Sequence, residues 1–221
     1  MTMQETAKTL YLEAEGIQYA YRIIGNSSDN GPPLLMLNHV RSTIDTWDPW
    51  VINNLTATGR QLITCDYTGL GHSNGRIQSS IRGVAWFNRS TTSRAGIAGK
   101  DGEPEIALST TGEALVNLTQ AHLTWDADPI PYALLQSIQK DVLVTNGDND
   151  LIVPTKNSYI LARQLPRANF VMFPSSGHGH LFQYAGYYTK LVGEFLDGKL
   201  PTAPFSSGRA PAFGSYGQYN E

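Results

Sequence analysis

The sequence has one cysteine, no long apolar run and no apolar leader of the secretory type. Cys65 stands alone, which excludes an internal disulfide framework and is typical of a reducing compartment. No run of about 18 apolar residues occurs, and the opening MTMQETAKTLYLEAEG lacks the apolar core of a signal peptide. We therefore expect a soluble, cytoplasmic protein with no membrane partner.

Basic charge and metal-ligand spacing are also missing. The formal net charge is -3, with 16 Lys and Arg against 19 Asp and Glu, which gives no electrostatic reason to expect a nucleic-acid partner. The five histidines show no H-x-x-x-H or comparable spacing. We therefore expect neither a metal nor another cofactor.

The length and composition predict one globular domain. A chain of 221 residues that is 41% hydrophobic can bury one sizeable core, and we place that domain at residues 1–198. After Gly198 the composition changes to Gly, Pro, Ser and Ala with scattered aromatics. Residues 199–221 are therefore predicted to be a disordered tail.

The first third of the chain predicts strands and one helix. Residues 9–13 and 17–24 alternate apolar and polar side chains, which predicts an antiparallel hairpin at a sheet edge. The apolar runs 33–37 and 62–65 are typical of buried strands. The helix between them is expected to direct an apolar set to the core: Trp47, Trp50, Val51 and Leu55.

The last third predicts a strand, a helix and a second strand. Residues 142–145 and 170–173 are short apolar runs, and an apolar face between Pro154 and Pro166 indicates a helix, which favours a right-handed crossover in a parallel sheet. A closing helix is expected at 182–196. Functional side chains collect past the carboxyl ends of such strands, where Asp148, Asp150 and His178 lie. This pattern suggests a carboxylate that orients an imidazole.

Three motifs carry a resemblance to a known family. The stretch GDND-x-x-V-P, followed downstream by S-G-H-G, resembles the acid and histidine turns of the α/β-hydrolase fold. PPLLMLNHVRSTIDTWDPW resembles its strand and oxyanion loop, and LITCDYTGLGHSNG resembles the following strand with its Asp-x-x-Gly-x-Gly-x-Ser turn. The resemblance implies a mostly parallel sheet with helices on both faces, with Asp150 as the acid and His178 as the base.

The oxyanion loop and the middle of the chain are interpreted from the same resemblance. It implies that the backbone N–H of Val40 is one oxyanion donor; for His39 we favour a turn histidine over a proton-transfer group. Residues 76–139 are helical or irregular in pattern and resemble a lid. Within it, Trp86, Phe87 and Trp125 either line an apolar substrate pocket or only seal the sheet, and both interpretations stay open.

The family also carries a G-x-S-x-G nucleophile elbow, with its strands, between those two halves. We predict that this shortened chain lacks it, because the sequence passes from Gly75 directly into the lid-like residues. Ser73 matches a structural turn serine and is a poor substitute. Two absent strands at about 4.8 Å each would leave a gap of roughly 10 Å. We therefore predict that strand 34–37 pairs directly with strand 142–145, or else that the chain is unstable or depends on a partner. An unpaired edge would allow an oligomer.

Two classes of function follow. The first is a hydrolase-like enzyme acting on a small apolar molecule, with secondary metabolism as a candidate setting, in which Asp150 and His178 act on water or substrate without a serine intermediate. The second is a noncatalytic relative, either a binding module or a defective gene product. Reaction of one serine with a phosphonate reagent would contradict the first class of function, which assumes that no serine acts as a nucleophile.

Overall fold

The computed structural model describes residues 2–27, 31–39, 42–77, 116–121, 123 and 131–200. The predicted tail lies almost entirely outside these residues, as does most of the predicted lid. The strands are β1 (Leu10–Ala14), β2 (Ile17–Ile24), β3 (Leu34–Met36), β4 (Leu62–Cys65), β5 (Val142–Gly147) and β6 (Ala168–Phe173). The labelled helices are α1 (Pro49–Ala57), α2 (Tyr132–Gln136), α3 (Thr155–Gln164), α4 (His180–Gln183) and α5 (Ala185–Leu196), and residues 116–121 are also helical.

The N-terminal sheet has the order β1-β2-β4-β3. The hairpin of β1 and β2 is antiparallel and lies at the sheet edge, as predicted. Its turn uses two left-handed residues, Glu15 (φ 51°) and Gly16 (φ 74°), which suits the twist of a tight hairpin. β2 pairs antiparallel with β4, and β3 pairs parallel with β4, so β3 and β4 end at the same edge of the sheet.

A second sheet holds the C-terminal half of the fold. β5 and β6 are parallel, in register from Val142 opposite Ala168 to Gly147 opposite Phe173. α3 covers one face, where a core cluster forms from Val144, Ala162, Leu165 and Ala168. The predicted unit of strand, helix and strand is therefore present. Because both strands end together, the loops after Gly147 and Phe173 meet.

The predicted pairing of β3 with β5 is wrong for the part of the chain that the structure describes. There β3 pairs with β4 alone and β5 pairs with β6 alone, in two separate sheets. The halves are joined by helices instead, because Leu181, Ala185 and Val192 pack against the core cluster of the first half. That cluster consists of Ile24, Val51, Ile52, Leu55 and Leu62. Helix packing thus joins the two halves although these strands do not pair.

The end of α5 is anchored by a buried arginine. Arg60 donates from Nη2 to Asp197 Oδ1 at 2.8 Å and to the carbonyl oxygen of Leu196 at 3.0 Å. The predicted closing helix is present in two parts, with a break at Tyr184, whose hydroxyl donates to Pro174 O at 2.7 Å. The C-terminal helix pair is therefore tied both to the first half and to the loop after β6.

One predicted core residue of α1 lies at the surface. The carboxylate of Asp48 caps the helix by accepting from the backbone N–H groups of Trp50 at 2.7 Å and Val51 at 3.2 Å. This cap fixes the rotation of the helix, so Val51 and Leu55 are buried whereas Trp50 is 50% exposed. Trp47 does pack against the core cluster, as predicted.

None of the described helices is long and apolar enough to cross a membrane.

Candidate active site

The two loops at the carboxyl ends of β5 and β6 bring a carboxylate and an imidazole together. Asp150 Oδ2 lies 2.9 Å from His178 Nδ1. The side chain of His178 is 23% exposed, and in the described part of the chain its only hydrogen bond is the one to Asp150. The geometry leaves Nε2 as the nitrogen that can exchange a proton with a bound molecule.

The Asp150 carboxylate is held in place by the backbone of its own loop. Its Oδ1 accepts from the N–H groups of Ile152 at 2.8 Å and Val153 at 2.9 Å, while the residue as a whole is buried. Burial alone would raise the pKa of Asp150, but the hydrogen bonds from His178, Val153 and Ile152 outweigh it and lower the pKa below its usual value. Asp150 therefore stays ionised and can orient the ring with Nδ1–H donating.

The sequence pattern placed Asp148 at this strand end without giving it a role, and the structure supplies one. Its Oδ2 accepts from the N–H of Ser175 at 2.9 Å and its Oδ1 from the N–H of Ser176 at 3.0 Å. The N–H of Asn149 donates in return to Ser176 O at 2.9 Å. These three hydrogen bonds, which we call the clasp, hold the loop that carries His178 against the loop that carries Asp150.

Asn146 is a second supporting residue that sequence reasoning missed. The side chain is buried, and its Nδ2 donates to Val153 O at 3.1 Å and to Ser158 Oγ at 3.0 Å. Its Oδ1 accepts from Gly147 N at 2.8 Å. The amide therefore fixes the Asp150 loop against α3. The signal available in the sequence was a polar residue inside an otherwise apolar strand.

His180, two residues after His178, begins α4, and its ring bonds to neither Asp150 nor the His178 imidazole among the described contacts. The ring is buried between Phe173, at 5.1 Å between centroids, and Tyr188, at 6.0 Å. Its Nε2 lies 3.0 Å from Thr145 Oγ1, and its Nδ1 has no hydrogen-bond partner among the described residues. Burial, the largest contribution, lowers the pKa of His180 below its usual value.

We expect this buried histidine to make the fold less stable in mild acid. In the unfolded chain His180 binds a proton as the pH falls through about 6.5, whereas burial in the folded chain opposes this protonation. The contribution of His180 to the free energy of unfolding is therefore fully present above about pH 6.5 and is lost as the pH falls toward the lower folded pKa. Urea unfolding at about pH 7.5 and about pH 5 measures this. The difference in the free energy of unfolding between the two pH values should be smaller for His180→Gln than for the unaltered chain. An equal difference would contradict the prediction.

The predicted oxyanion loop is only partly described. Val40 lies outside the described residues, so its proposed donor role stays a prediction. The carbonyl oxygen of His39 accepts from the N–H of Ser42 at 3.0 Å. Beyond it, Asp66 Oδ1 accepts from the N–H of Ile44 at 2.8 Å, which ties the loop to the end of β4. The loop is thus anchored beside the strand ends.

The sequence pattern G-x-S-x-G does occur once, from Gly71 to Gly75. The prediction that the chain lacks this pattern is therefore wrong. Its serine is engaged elsewhere. Ser73 is buried, its hydroxyl donates to Asp66 O at 2.9 Å, and its Oγ accepts from Ala20 N at 2.8 Å. These bonds fit the predicted role of a structural turn serine that joins the β4 turn to β2.

The predicted lid pocket cannot be placed in the fold, because Trp86, Phe87 and Trp125 lie outside the described residues. Of the lid-like stretch, residues 116–121 are helical, and Leu118 packs against Leu70 and Ile77. In the ranges that the structure describes, no group of three or more His, Cys, Asp or Glu side chains is arranged to hold a metal ion.

Comparison with known proteins gives both a sequence match and fold matches. Over 64 residues the chain is 33% identical to 2-hydroxymuconate semialdehyde hydrolase from Pseudomonas sp. (strain CF600); this match covers 29% of the chain and 23% of that protein. An alpha/beta hydrolase fold protein from Chitinophaga pinensis is similar at a TM-score of 0.72 and 26% identity, over 88% of this chain and 99% of that one. No protein-family model matches.

A further similarity in fold is to a hydrolase from Pseudomonas aeruginosa PA01, with a TM-score of 0.60 and 17% identity over 85% of this chain and 98% of that one. A serine hydrolase involved in carbazole degradation is similar at a TM-score of 0.63 and 12% identity, over 86% of this chain and 99% of its own. At these identities the likeness concerns the fold alone.

Proposed function

Because the chain belongs to the α/β-hydrolase fold superfamily, we propose that it is a hydrolase-like enzyme in which Asp150 and His178 act together on a small apolar molecule. The observation that carries this proposal is the 2.9 Å contact between Asp150 Oδ2 and His178 Nδ1. The carboxylate is buried and ionised, and the imidazole is partly exposed. A base positioned by a carboxylate is an arrangement suited to proton abstraction.

The proposed chemistry uses water as the nucleophile. Nε2 of His178 takes a proton from a water molecule while the water oxygen forms a bond to the carbonyl carbon of the substrate. The π electrons of the carbonyl move onto its oxygen and re-form the double bond when the leaving group departs. The imidazolium, stabilised by Asp150, then returns that proton to the leaving oxygen as the bond from carbon to that oxygen breaks. Such general-base and general-acid assistance contributes typically about a hundredfold to ten-thousandfold.

A covalent serine intermediate is not part of the proposal. A nucleophilic hydroxyl has to lie within hydrogen-bond reach of its base. In the described ranges no Ser, Thr or Cys side chain makes a hydrogen bond with His178. The hydroxyl of Ser73 bonds instead to the backbone of Asp66 and Ala20. We propose that the turn containing Ser73 is a structural element rather than a nucleophile elbow.

The substrate class is proposed from the relatives and the sequence. The sequence relative is named for 2-hydroxymuconate semialdehyde, and one fold relative is involved in carbazole degradation. Both names concern small organic molecules, although 2-hydroxymuconate semialdehyde carries a carboxylate, a hydroxyl and an aldehyde; the apolar character is proposed from the sequence alone. The aromatic residues of the predicted lid, Trp86, Phe87 and Trp125, are proposed to line its pocket. Secondary metabolism is the proposed setting.

A covalent probe tests the proposed mechanism. The purified chain is screened with short-chain aryl esters, with and without a serine-reactive phosphonate, and its intact mass is measured after exposure. We expect ester turnover that the phosphonate does not inhibit, and no adduct. A serine hydrolase treated in parallel should lose activity and gain one adduct.

Two outcomes would count against the proposal. Labelling of one serine, lost in His178→Ala, would show that the chain has a nucleophile after all. Absence of turnover on every ester, together with saturable binding of an apolar ligand, would instead support the noncatalytic binding module.

A further inference from the structure

The loop that carries His178 is held by one carboxylate that binds it at two points. Asp148 follows directly after β5, and its two oxygens accept from the N–H groups of Ser175 and Ser176 at 2.9 and 3.0 Å. The N–H of Asp148 donates to Phe173 O, the last residue of β6, at 2.9 Å. Asp148 therefore joins the ends of both strands just before the chain reaches His178.

The held loop has a backbone conformation that needs support. Ser175 has a φ of 50°, in the left-handed region that serine adopts only at a cost in energy. An ionised carboxylate that accepts two adjacent N–H groups is a strong and directional partner for such a turn. The bonds from Ser175 and Ser176 are the largest contributions to the lowered pKa of Asp148, which keeps the carboxylate charged at neutral pH.

Further hydrogen bonds of this loop join uncharged groups: the N–H of Asn149 donates to Ser176 O at 2.9 Å, and the Ser176 hydroxyl donates to Phe173 O at 2.9 Å. The N–H of Gly177 donates to Gln183 Oε1 at 3.1 Å, and the imidazole makes its hydrogen bond with Asp150. Asp150 lies in the same loop as Asp148, two residues further on. The two aspartates therefore have different roles: Asp148 binds the backbone of the histidine loop, whereas Asp150 binds the imidazole.

We propose that Asp148 is a positioning residue for His178, whose carboxylate sets the backbone of the loop so that Nδ1 reaches Asp150. The inference rests on the proposed function in that it treats His178 as the base. It predicts that the Asp150 to His178 hydrogen bond depends on Asp148, although the Asp148 carboxylate bonds to neither of these side chains and accepts instead from the N–H groups of Ser175 and Ser176.

The test uses Asp148→Asn, which keeps the shape of the side chain but removes the charge and one acceptor. Amide hydrogen exchange of Ser175 and Ser176 reports the clasp, and the nuclear magnetic resonance signal of the His178 Nδ1 proton reports the bond to Asp150. We expect amide protection to fall about tenfold at both serines, as for a lost charge-assisted bond, and the Nδ1 signal to broaden or vanish.

Asp141→Asn is the matched control. Asp141 precedes β5 at its other end, is exposed, and pairs with Arg167 at 2.5 Å, so the variant loses the same charge without touching the loop. Both signals should stay as in the unaltered protein. Neither readout needs a substrate, so both test the role of Asp148 independently of whether the chain hydrolyses esters.

Three outcomes would overturn the inference. The first is serine amides in the unaltered protein that exchange as fast as unprotected ones. The second is an Asp148→Asn variant that loses amide protection yet keeps the Nδ1 signal, which would make the clasp a local structural feature. The third is global unfolding of Asp148→Asn, seen by circular dichroism, which would make Asp148 a residue that stabilises the fold rather than one that positions His178.

Discussion

The substitution His178→Ala is expected to lower the rate of ester hydrolysis by about a hundredfold to ten-thousandfold, because it removes the group that takes the proton from water. The imidazole is only partly buried, and its hydrogen bond is the one to Asp150, so the fold should persist. The loss should fall mainly on kcat, since removing the base affects the transition state more than substrate binding. Steady-state kinetics on a short-chain aryl ester measures it.

The chain offers a matched control for this experiment. His72 is also paired with a carboxylate, with Nε2 at 2.8 Å from Asp45 Oδ2, and its side chain is 39% exposed. It lies in the turn after β4 rather than at the ends of β5 and β6. His72→Ala should therefore leave kcat within about twofold of the unaltered rate, as surface substitutions usually change little. Equal losses in both variants, or no loss in His178→Ala, would contradict the assignment of the base.

The meeting of Asp150 and His178 could be predicted from the sequence for a specific reason. Two short apolar runs flank an amphipathic helix, and this arrangement forces parallel strands whose carboxyl ends share one edge. Side chains in the short loops that follow are then close whatever the rest of the chain does. Local patterns and one topological rule predicted that an aspartate and the histidine meet here, whereas the choice of Asp150 over Asp148 came from the resemblance to the α/β-hydrolase fold.

The clasp by Asp148 could not be predicted in the same way. Its partners are backbone N–H groups of Ser175 and Ser176, which any residue type except proline could supply. No pattern of side chains marks such an acceptor and donor set. The role of Asp148 depends on the register of β5 and β6 and on the left-handed turn at Ser175, both of which appear only once the strands are paired.

The wrong prediction of strand pairing also has a physical cause. Direct pairing of β3 with β5 was inferred from the cost of unpaired strand edges, but packing of α5 against the α1 core joins the halves without it. The motif around Ser73 shows the limit of letter patterns. Its five residues have the form of a nucleophile elbow, yet the serine follows β4 in a turn where its hydroxyl bonds to Asp66 and Ala20.

Gly147→Ala should disrupt the candidate site and destabilise the fold together. A Cβ at this position would lie 2.3 Å from Ser176 O and 2.4 Å from Gly177 O, and both atoms belong to the backbone of the loop that carries His178. The loop cannot yield locally, because it is bonded to Asp148 and Asn149. It must move away from β5 as a unit, which separates the imidazole from Asp150.

We expect Gly147→Ala to lower the free energy of unfolding by about 3 kcal/mol, the upper part of the usual range for overpacking. Ester hydrolysis should fall nearly as far as in His178→Ala, because the displaced ring loses its orienting carboxylate. Urea unfolding and steady-state kinetics measure the two effects.

Gly186→Ala supplies the control for the added methyl group. A Cβ there would meet Trp50 Cη2 at 3.4 Å, an ordinary contact with a side chain, at the beginning of α5. Alanine is also favoured over glycine in a helix by about 1 kcal/mol, so this variant should be as stable as the unaltered chain or slightly more so. A Gly147→Ala variant that matches Gly186→Ala in stability and turnover would show that the histidine loop lies farther from β5 than the structure places it.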